Sequence, residues 1–194
     1  GALGNQYFRF YDERLAEAIT LGGQLSIRWA EKAVNKHLNK VLKTNDHDFV
    51  IASDTDSLYV TLEKLVDKVF PENPDTTKVI NFMDKVCEQD LQKVIDRAYN
   101  ELKNYLNAYD QKMFMKRECL ADKGIWTGKK HYLLNVYDNE GVRYAKPSLK
   151  VMGIEAVKSS TPTACRAKLK EAFDLIMGTD EVTVQNFIKD FRKE

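Results

Sequence analysis

One short stretch, residues 48–60, constrains the fold of this chain more than any other. Two apolar runs, 50–51 and 58–60, flank a polar centre, which is the pattern of a β-hairpin. The centre holds two carboxylates, Asp54 and Asp56, with one residue between them. Residues two apart in extended backbone point to the same face, so we expect these carboxylates to converge.

The acidic pair predicts a metal site, although its spacing also has a structural explanation. Two anions held close together repel each other, and one takes up a proton unless a cation lies between them. Mg²⁺ is bound in this way by one or two carboxylates together with substrate phosphates. Asp is also common in turns that bind no metal, so spacing alone leaves both interpretations open. An EF-hand is excluded because Leu58 and Tyr59 occupy the positions of a ligand and of the required glycine.

Hydrophobic periodicity predicts an α+β chain. Asp12 is the expected N-cap of a helix that runs to about residue 43. The other predicted elements are the hairpin, helices over 63–70 and 77–109, and strands at 113–120, 132–137 and near 142–145, followed by another apolar stretch at 149–154. Two further helices follow, one with Thr161 as N-cap and Pro162 at its first position, and one after Asp180. One aromatic group near the start could stack bases, but packing in the core is the favoured interpretation: Tyr7, Phe8, Phe10 and Tyr11.

Composition limits the classes of function. Hydrophobic residues at 43% and charged residues at 30% are ordinary values for a globular domain. The net charge of +1 does not by itself indicate a nucleic-acid partner. Three distant cysteines predict a reducing compartment without a zinc site. No apolar run in the sequence approaches the length of a membrane span, and no signal peptide is visible. The start without Met suggests a piece of a longer protein.

A locally basic segment lies further along, from Lys112 to Lys130. Near its end, Lys129 and Lys130 precede Tyr132 at the start of a predicted strand. Lysines beside an aromatic residue suit contacts with phosphates and sugars, which position a duplex without reading its sequence. A solvated charged face explains the same pattern, and composition does not choose between the two.

The acidic stretch also carries a resemblance. Asp54-Thr55-Asp56-Ser57 between apolar strands resembles motif C of family B DNA polymerases, and nearly the whole chain is similar to the replicative polymerases of T4-type bacteriophages. The resemblance implies two Mg²⁺ ions in the complete enzyme, with Asp56 as the first ligand and Asp54 as the second. It also implies that Glu118 is a catalytic palm carboxylate that supports the metal site.

The same resemblance implies a DNA-binding set. Lys129, Lys130 and Tyr132 match the family's Lys-Lys-Arg-Tyr motif, which holds the primer-template duplex, and His131 stands where that motif has Arg. Gly1 and Ala2 resemble the tail of motif B, where small residues let the backbone approach the nascent base pair.

The resemblance further implies a division of the chain and a reaction. Residues 1–158 resemble the second half of the palm, with an antiparallel sheet and packed helices, and residues 159–194 resemble the helical start of the thumb. The segment 150–155 resembles the passage between them. The implied reaction is two-metal nucleotidyl transfer from a dNTP to a primer 3′-hydroxyl, in the cytoplasm of an infected bacterium. The rest of the polymerase is an expected partner, and we expect the isolated chain to be inactive.

Two alternatives remain open. A non-catalytic nucleic-acid-binding module with a palm fold would explain the lysines and leave the acidic pair without a role. A nucleotide-sugar transferase would use Asp-x-Asp with a metal, but such an enzyme needs a doubly wound parallel sheet, against which the hairpin signals argue.

Overall fold

The computed structural model describes residues 1–72, 75–154 and 158–193 and shows two compact units. The first unit is Gly1–Arg117 and the second is Glu118–Glu194. Both units combine antiparallel strands with helices, which confirms the predicted α+β class. None of the described helices has the length and apolar character needed to span a membrane.

Helix α1 (Glu13–Leu42) begins where the sequence predicts. The Asp12 carboxylate accepts hydrogen bonds from the backbone N–H groups of Arg14 and Leu15, which caps the helix. The helix continues without interruption through Gly22 and Gly23. A Cβ added at either glycine would meet nothing within 4 Å, so neither glycine serves a close packing contact with the described residues.

Among the described residues, the first unit also contains two strands and three further α-helices: β1 (Val50–Asp54), β2 (Ser57–Val60), α2 (Glu63–Val69), α3 (Thr76–Val86) and α4 (Gln92–Tyr105). A π-helical segment, Cys87–Leu91, joins α3 to α4, so the single helix predicted over residues 77–109 contains a widened turn. The helix ends short of that prediction because Asn107 adopts a left-handed φ of 51°.

Burial raises the pKa of the Cys87 thiol to about 11, so this thiol is neutral at physiological pH.

Two clusters of buried side chains join α1 to the hairpin and to α4. One cluster consists of Val34, Leu38, Phe49, Val50 and Leu91, and the other of Ala30, Tyr99 and Leu102. Leu58 of β2 packs against both clusters. Burying an aliphatic or aromatic side chain of this size contributes roughly 1.5–3 kcal/mol, so the base of the hairpin is held firmly by hydrophobic packing.

The second unit is built on a three-stranded antiparallel sheet followed by two helices. Its elements are β3 (Cys119–Gly128), β4 (His131–Asn139), β5 (Val142–Met152), α5 (Thr163–Gly178) and α6 (Glu181–Phe191). The central strand is β4, and its Leu133, Leu134 and Val136 side chains are buried. Lys123 of β3 donates a hydrogen bond of 2.8 Å from Nζ to the carbonyl oxygen of Met177 near the end of α5.

The strand predicted at residues 113–120 is wrong over most of its length, because β3 begins only at Cys119. The Gln111 side chain bonds both the backbone N–H and the backbone carbonyl of Met113, so this backbone is satisfied without a neighbouring strand. Arg117 forms an ion pair of 2.9 Å with Asp84 of α3. The segment is therefore tied down by side chains of its own unit.

The predicted strand near 142–145 is longer than expected and continues into the apolar stretch at 149–154 as one strand, β5. Pro147 lies inside it, which is tolerated because β5 is at the edge of the sheet. The pairing register also shifts between Val136 and Asp138 of the partner strand. The proline therefore marks an irregularity within one strand rather than a break between two.

The start of α5 is displaced by one residue from its prediction. Pro162 is the N-cap and Thr163 is the first helical residue, so the assignment of Thr161 as N-cap is wrong. The prediction that a last helix begins after Asp180 is confirmed, and the Asp180 carboxylate caps α6 by accepting a hydrogen bond from the backbone N–H of Thr183. Glu155, the last residue of the predicted palm-to-thumb segment, lies outside the described residues, and the boundary at residue 158 stays a prediction.

Candidate functional site: the acidic hairpin and the lysine turn

The acidic hairpin consists of β1, β2 and the two-residue turn Thr55-Asp56 between them. The strands are antiparallel, and Asp54 pairs with Ser57 next to the turn. Thr55 has a φ of 38°, within the left-handed region that short hairpin turns use. The predicted hairpin is confirmed, and its tip carries the acidic pair.

Asp54 and Asp56 occupy different kinds of backbone. Asp54 is the last residue of β1, is half-buried, and accepts a hydrogen bond of 3.0 Å at Oδ1 from the Thr55 hydroxyl. Asp56 lies in the turn and is exposed. The premise that both residues lie in extended backbone is therefore wrong for Asp56, because a turn residue does not follow strand alternation. The convergence of the two carboxylates stays a prediction.

Two asparagines of α1 hold the chain that enters the acidic hairpin. Asn35 accepts a hydrogen bond of 2.8 Å from the Phe49 backbone N–H and donates one of 2.8 Å to the Asp48 carboxylate. Asn39 accepts from the His47 backbone N–H at 2.9 Å and donates to the His47 carbonyl at 2.7 Å. Sequence reasoning missed both residues. Their spacing of one helical turn was the available signal, since it puts both amides on one face of α1.

The hairpin carboxylates are of the donor type that Mg²⁺ takes. In the part of the chain that the structure describes, no group of three or more His, Cys, Asp or Glu side chains is arranged to hold a metal ion. Mg²⁺ keeps several waters and uses one or two carboxylates with substrate phosphates. Asp54 and Asp56 fit that requirement in number and in chemistry, and Asp56 is open to solvent.

Glu118 belongs to the second unit and directly precedes β3. Its assignment to a strand is wrong, although its backbone carbonyl accepts a hydrogen bond of 2.6 Å from the Glu140 N–H. The Glu118 carboxylate is largely exposed and forms an ion pair with Lys150 of β5. Its support of a metal site stays a prediction.

The lysine turn is the two-residue connection Lys129-Lys130 between β3 and β4. Both lysines are exposed, and Lys130 has a φ of 62°. The His131 ring closes the turn, because its Nδ1 lies 2.8 Å from the Lys129 carbonyl oxygen. A carbonyl oxygen only accepts, so Nδ1 carries the proton in this contact.

Tyr132 follows the lysine turn as the second residue of β4 and is half-buried. It pairs across the strands with Trp126 of β3, and the two ring centroids are 6.3 Å apart. A Cβ added at Gly124 would come within 2.7 Å of the Trp126 ring, so this glycine leaves room for the indole. The two rings form an aromatic pair beside the lysine turn.

Gly1 and Ala2 are exposed at the start of the first unit, where residues Ala2–Gly4 form a short 3₁₀ helix. The Asp12 N–H donates a hydrogen bond of 3.1 Å to the Leu3 carbonyl, which joins this segment to the start of α1. The nearby aromatic group is exposed, with Tyr7 at 88% and Phe10 at 64%. The prediction that these rings pack in the core is wrong for the described structure.

Comparison with known proteins places these features in a family. The family model described as Divergent Family B DNA polymerase matches residues 31–188, which include the acidic hairpin and the lysine turn. The chain belongs to this family.

Two phage enzymes are similar to this family B chain. The DNA-directed DNA polymerase of Enterobacteria phage T4 is 44% identical over 206 aligned residues, covering 100% of this chain and 23% of the relative. The DNA-directed DNA polymerase of Escherichia phage RB69 is 48% identical over 180 residues, covering 88% of this chain and 20% of the relative. The chain therefore spans about a fifth of the length of these relatives.

Proposed function

We propose that this chain is part of the palm of a template-directed DNA polymerase, with residues 1–158 in the palm and 159–194 at the start of the thumb. The primer 3′-hydroxyl oxygen attacks the α-phosphorus of a dNTP, a new phosphodiester bond forms, and pyrophosphate leaves. The observation that carries the proposal is the acidic pair at the tip of a hairpin whose base is fixed in a packed core. Membership of family B supplies the reaction class.

In this proposal Asp56 is the first metal ligand and Asp54 the second. Asp56 is exposed at the turn and so reaches solvent and substrate, whereas Asp54 is half-buried at the end of β1. Two Mg²⁺ ions, when bound, lower the pKa of the primer hydroxyl and stabilise the charge on the transition state and on the leaving pyrophosphate. Glu118 supports the site as a further carboxylate.

The lysine turn holds the primer-template duplex. A hairpin turn that presents two exposed lysines suits phosphate contacts, which fix the position of a duplex without reading its bases. Tyr132 lies next to this contact, and Gly1 and Ala2 let the backbone approach the nascent base pair. The partners are primer-template DNA, a dNTP and the rest of the polymerase, in the cytoplasm of a phage-infected bacterium.

A non-catalytic nucleic-acid-binding module is the second candidate, and the exposed lysine turn favours it equally. The acidic pair separates the two, because a binding module has no use for two carboxylates at the tip of one hairpin. The nucleotide-sugar transferase is not supported, because such an enzyme needs a doubly wound parallel sheet and both described sheets are antiparallel.

The test replaces Asp56 by Asn in a full-length polymerase that carries this segment. Asp56→Asn keeps the shape of the side chain and removes its charge. We expect single-turnover nucleotide incorporation to fall by about a thousandfold or more, because losing a metal ligand removes several kcal/mol of transition-state stabilisation. Primer-template affinity, measured by fluorescence anisotropy, should stay within about twofold, since the lysine turn is unchanged.

Asp67→Asn is the matched control. Asp67 is an exposed aspartate on α2 of the same unit, so its replacement makes the same chemical change away from the acidic hairpin. Incorporation by this variant should equal that of the parent. Full activity of Asp56→Asn would refute the metal-ligand role and would favour the binding module, in which the acidic pair has no role.

A further inference from the structure

Gly153 lies against the lysine turn in a conformation that ordinary residues avoid. It follows Met152, the last residue of β5, and has a φ of +69°. A Cβ added at Gly153 would overlap the Lys130 carbonyl oxygen and would lie 3.2 Å from the Lys130 carbonyl carbon. It would also lie 3.1 Å from Cδ2 of the His131 ring.

The sheet register explains why these residues meet. Tyr132 pairs with Met152, so the residue after β5 is brought beside the residues before Tyr132. The lysine turn and the end of β5 are therefore packed backbone against backbone. The neighbour that a side chain would strike is a main-chain carbonyl, which cannot rotate away as a flexible side chain can.

The lysine turn itself needs external support. Lys130 has a φ of 62°, and a residue with a side chain is strained in this left-handed region of the backbone. Such a conformation persists only when the surrounding structure holds it. The His131 ring bonded to the Lys129 carbonyl is one support, and the Gly153 backbone behind Lys130 is another.

We infer that Gly153 is a positioning residue for duplex binding. Because Gly153 has no side chain, the end of β5 packs against the lysine turn and holds it in a position from which Lys129 and Lys130 reach successive phosphates. This inference rests on the proposed function, because it takes the lysine turn as the duplex contact. A side chain at Gly153 displaces the Lys130 carbonyl and therefore moves the backbone from which both lysine side chains extend. Gly153 carries no charge and touches no DNA, and its effect passes through the lysines.

The experiment compares four variants of the full-length polymerase that carries this segment: Gly153→Ala, Gly141→Ala, Lys129→Ala/Lys130→Ala, and the combination of Gly153→Ala with the two lysine substitutions. Primer-template affinity is measured by fluorescence anisotropy across a range of salt concentrations. Gly141 is the matched control, since it has a φ of +87° in the same unit but an added Cβ there would meet nothing within 4 Å. Both Gly→Ala changes impose backbone strain, and only the change at Gly153 strikes the lysine turn.

We expect Gly153→Ala to weaken duplex binding by about tenfold and to lower the slope of log affinity against log salt by about 0.9, which corresponds to one lost phosphate contact. A changed salt slope from a substitution that alters no charge is a signature that simple loss of stability does not give. Gly141→Ala should leave affinity and slope unchanged. When Lys129 and Lys130 are both replaced by Ala, adding Gly153→Ala should change neither the duplex affinity nor the salt slope any further.

The outcomes separate this inference from the proposed function. If removing both lysines leaves affinity and salt slope unchanged, the duplex contact fails, and the inference fails with it. If the lysines matter but Gly153→Ala behaves like Gly141→Ala, or still weakens binding when the lysines are absent, the positioning role alone is refuted. Should Gly153→Ala not fold, Gly153→Asn takes its place, because Asn tolerates left-handed backbone yet still brings a Cβ against Lys130.

Discussion

Single side chains of α1 determine how the chain enters the acidic hairpin. Asn35 satisfies the Phe49 backbone N–H, and Phe49 is only 1% exposed. A buried N–H that loses its acceptor retains the full cost of its desolvation. Asn35 therefore links the packing of the core to the position of the carboxylates a few residues later.

Replacing Asn35 by Ala should lower the free energy of unfolding by about 1–3 kcal/mol, because the Phe49 N–H is left buried without an acceptor. Urea unfolding of the 194-residue chain, followed by circular dichroism, measures this change. Hydrogen exchange of the Phe49 amide should also become faster.

Asn100→Ala is the control for this prediction. Asn100 is exposed on α4 and donates a hydrogen bond of 2.9 Å to the Asp96 carbonyl within its own helix. Its replacement should change the free energy of unfolding by less than about 0.5 kcal/mol. Equal effects from the two substitutions would show that Asn35 has no special role at the hairpin.

At the scale of elements, the β4–β5 connection depends on a buried carboxylate. Asp138 is 1% exposed and accepts hydrogen bonds of 3.0 Å from the Gly141 N–H and from Arg143 Nε. It thus closes the turn and neutralises a cation on the next strand. This pairing holds the β4–β5 turn, and the register shifts between it and the later part of β5 that runs back to the lysine turn.

Asp138→Ala should destabilise the second unit by about 2–3 kcal/mol, since both donors lose a charged acceptor. Arg143→Ala should also be destabilising, because it leaves the buried Asp138 carboxylate without its cation. Urea unfolding of the two single variants and the double variant forms a mutant cycle. The double variant should lose about 1 kcal/mol less than the sum of the single changes. Strict additivity would mean that the ion pair contributes nothing to stability.

Elements with a local chemical signal were predictable from the sequence. Asp12 caps α1 as predicted, and α6 begins after Asp180 as predicted, because a helix start depends on only a few neighbouring residues. The acidic hairpin was predictable because its turn residues and apolar strands are contiguous. The widened turn at Cys87–Leu91 gave no such signal, since apolar residues continue at helical spacing on both sides of it.

Features that depend on distant residues were not predictable. The sequence predicts a strand through residues 113–118, but Arg117 of this segment instead pairs with Asp84 of α3, which is distant in the chain. The full length of β5 was missed, since it runs through Pro147, which is tolerated only because pairing with β4 leaves β5 at the edge of the sheet. The contact of Gly153 with Lys130 follows from strand register, which the sequence around either residue does not contain. At the candidate site, sequence reasoning therefore found the acidic pair and the lysines but missed what holds them.

At the scale of the whole molecule, two compact units each carry part of the proposed machinery. The acidic hairpin is in the unit Gly1–Arg117, and the lysine turn with Glu118 is in the unit Glu118–Glu194. The chain spans about a fifth of the length of its phage relatives. Catalysis is therefore proposed for a complete polymerase, in which the acidic hairpin supplies metal ligands.

Anomalous X-ray scattering from Mn²⁺ tests those ligands most directly. The crystal would contain a full-length polymerase carrying this segment, primer-template DNA and a non-hydrolysable dNTP analogue, with Mn²⁺ in place of Mg²⁺. We expect anomalous peaks within coordination distance of the Asp56 carboxylate and of the Asp54 carboxylate. Peaks that touch the nucleotide phosphates but neither aspartate would contradict the metal role of the acidic hairpin.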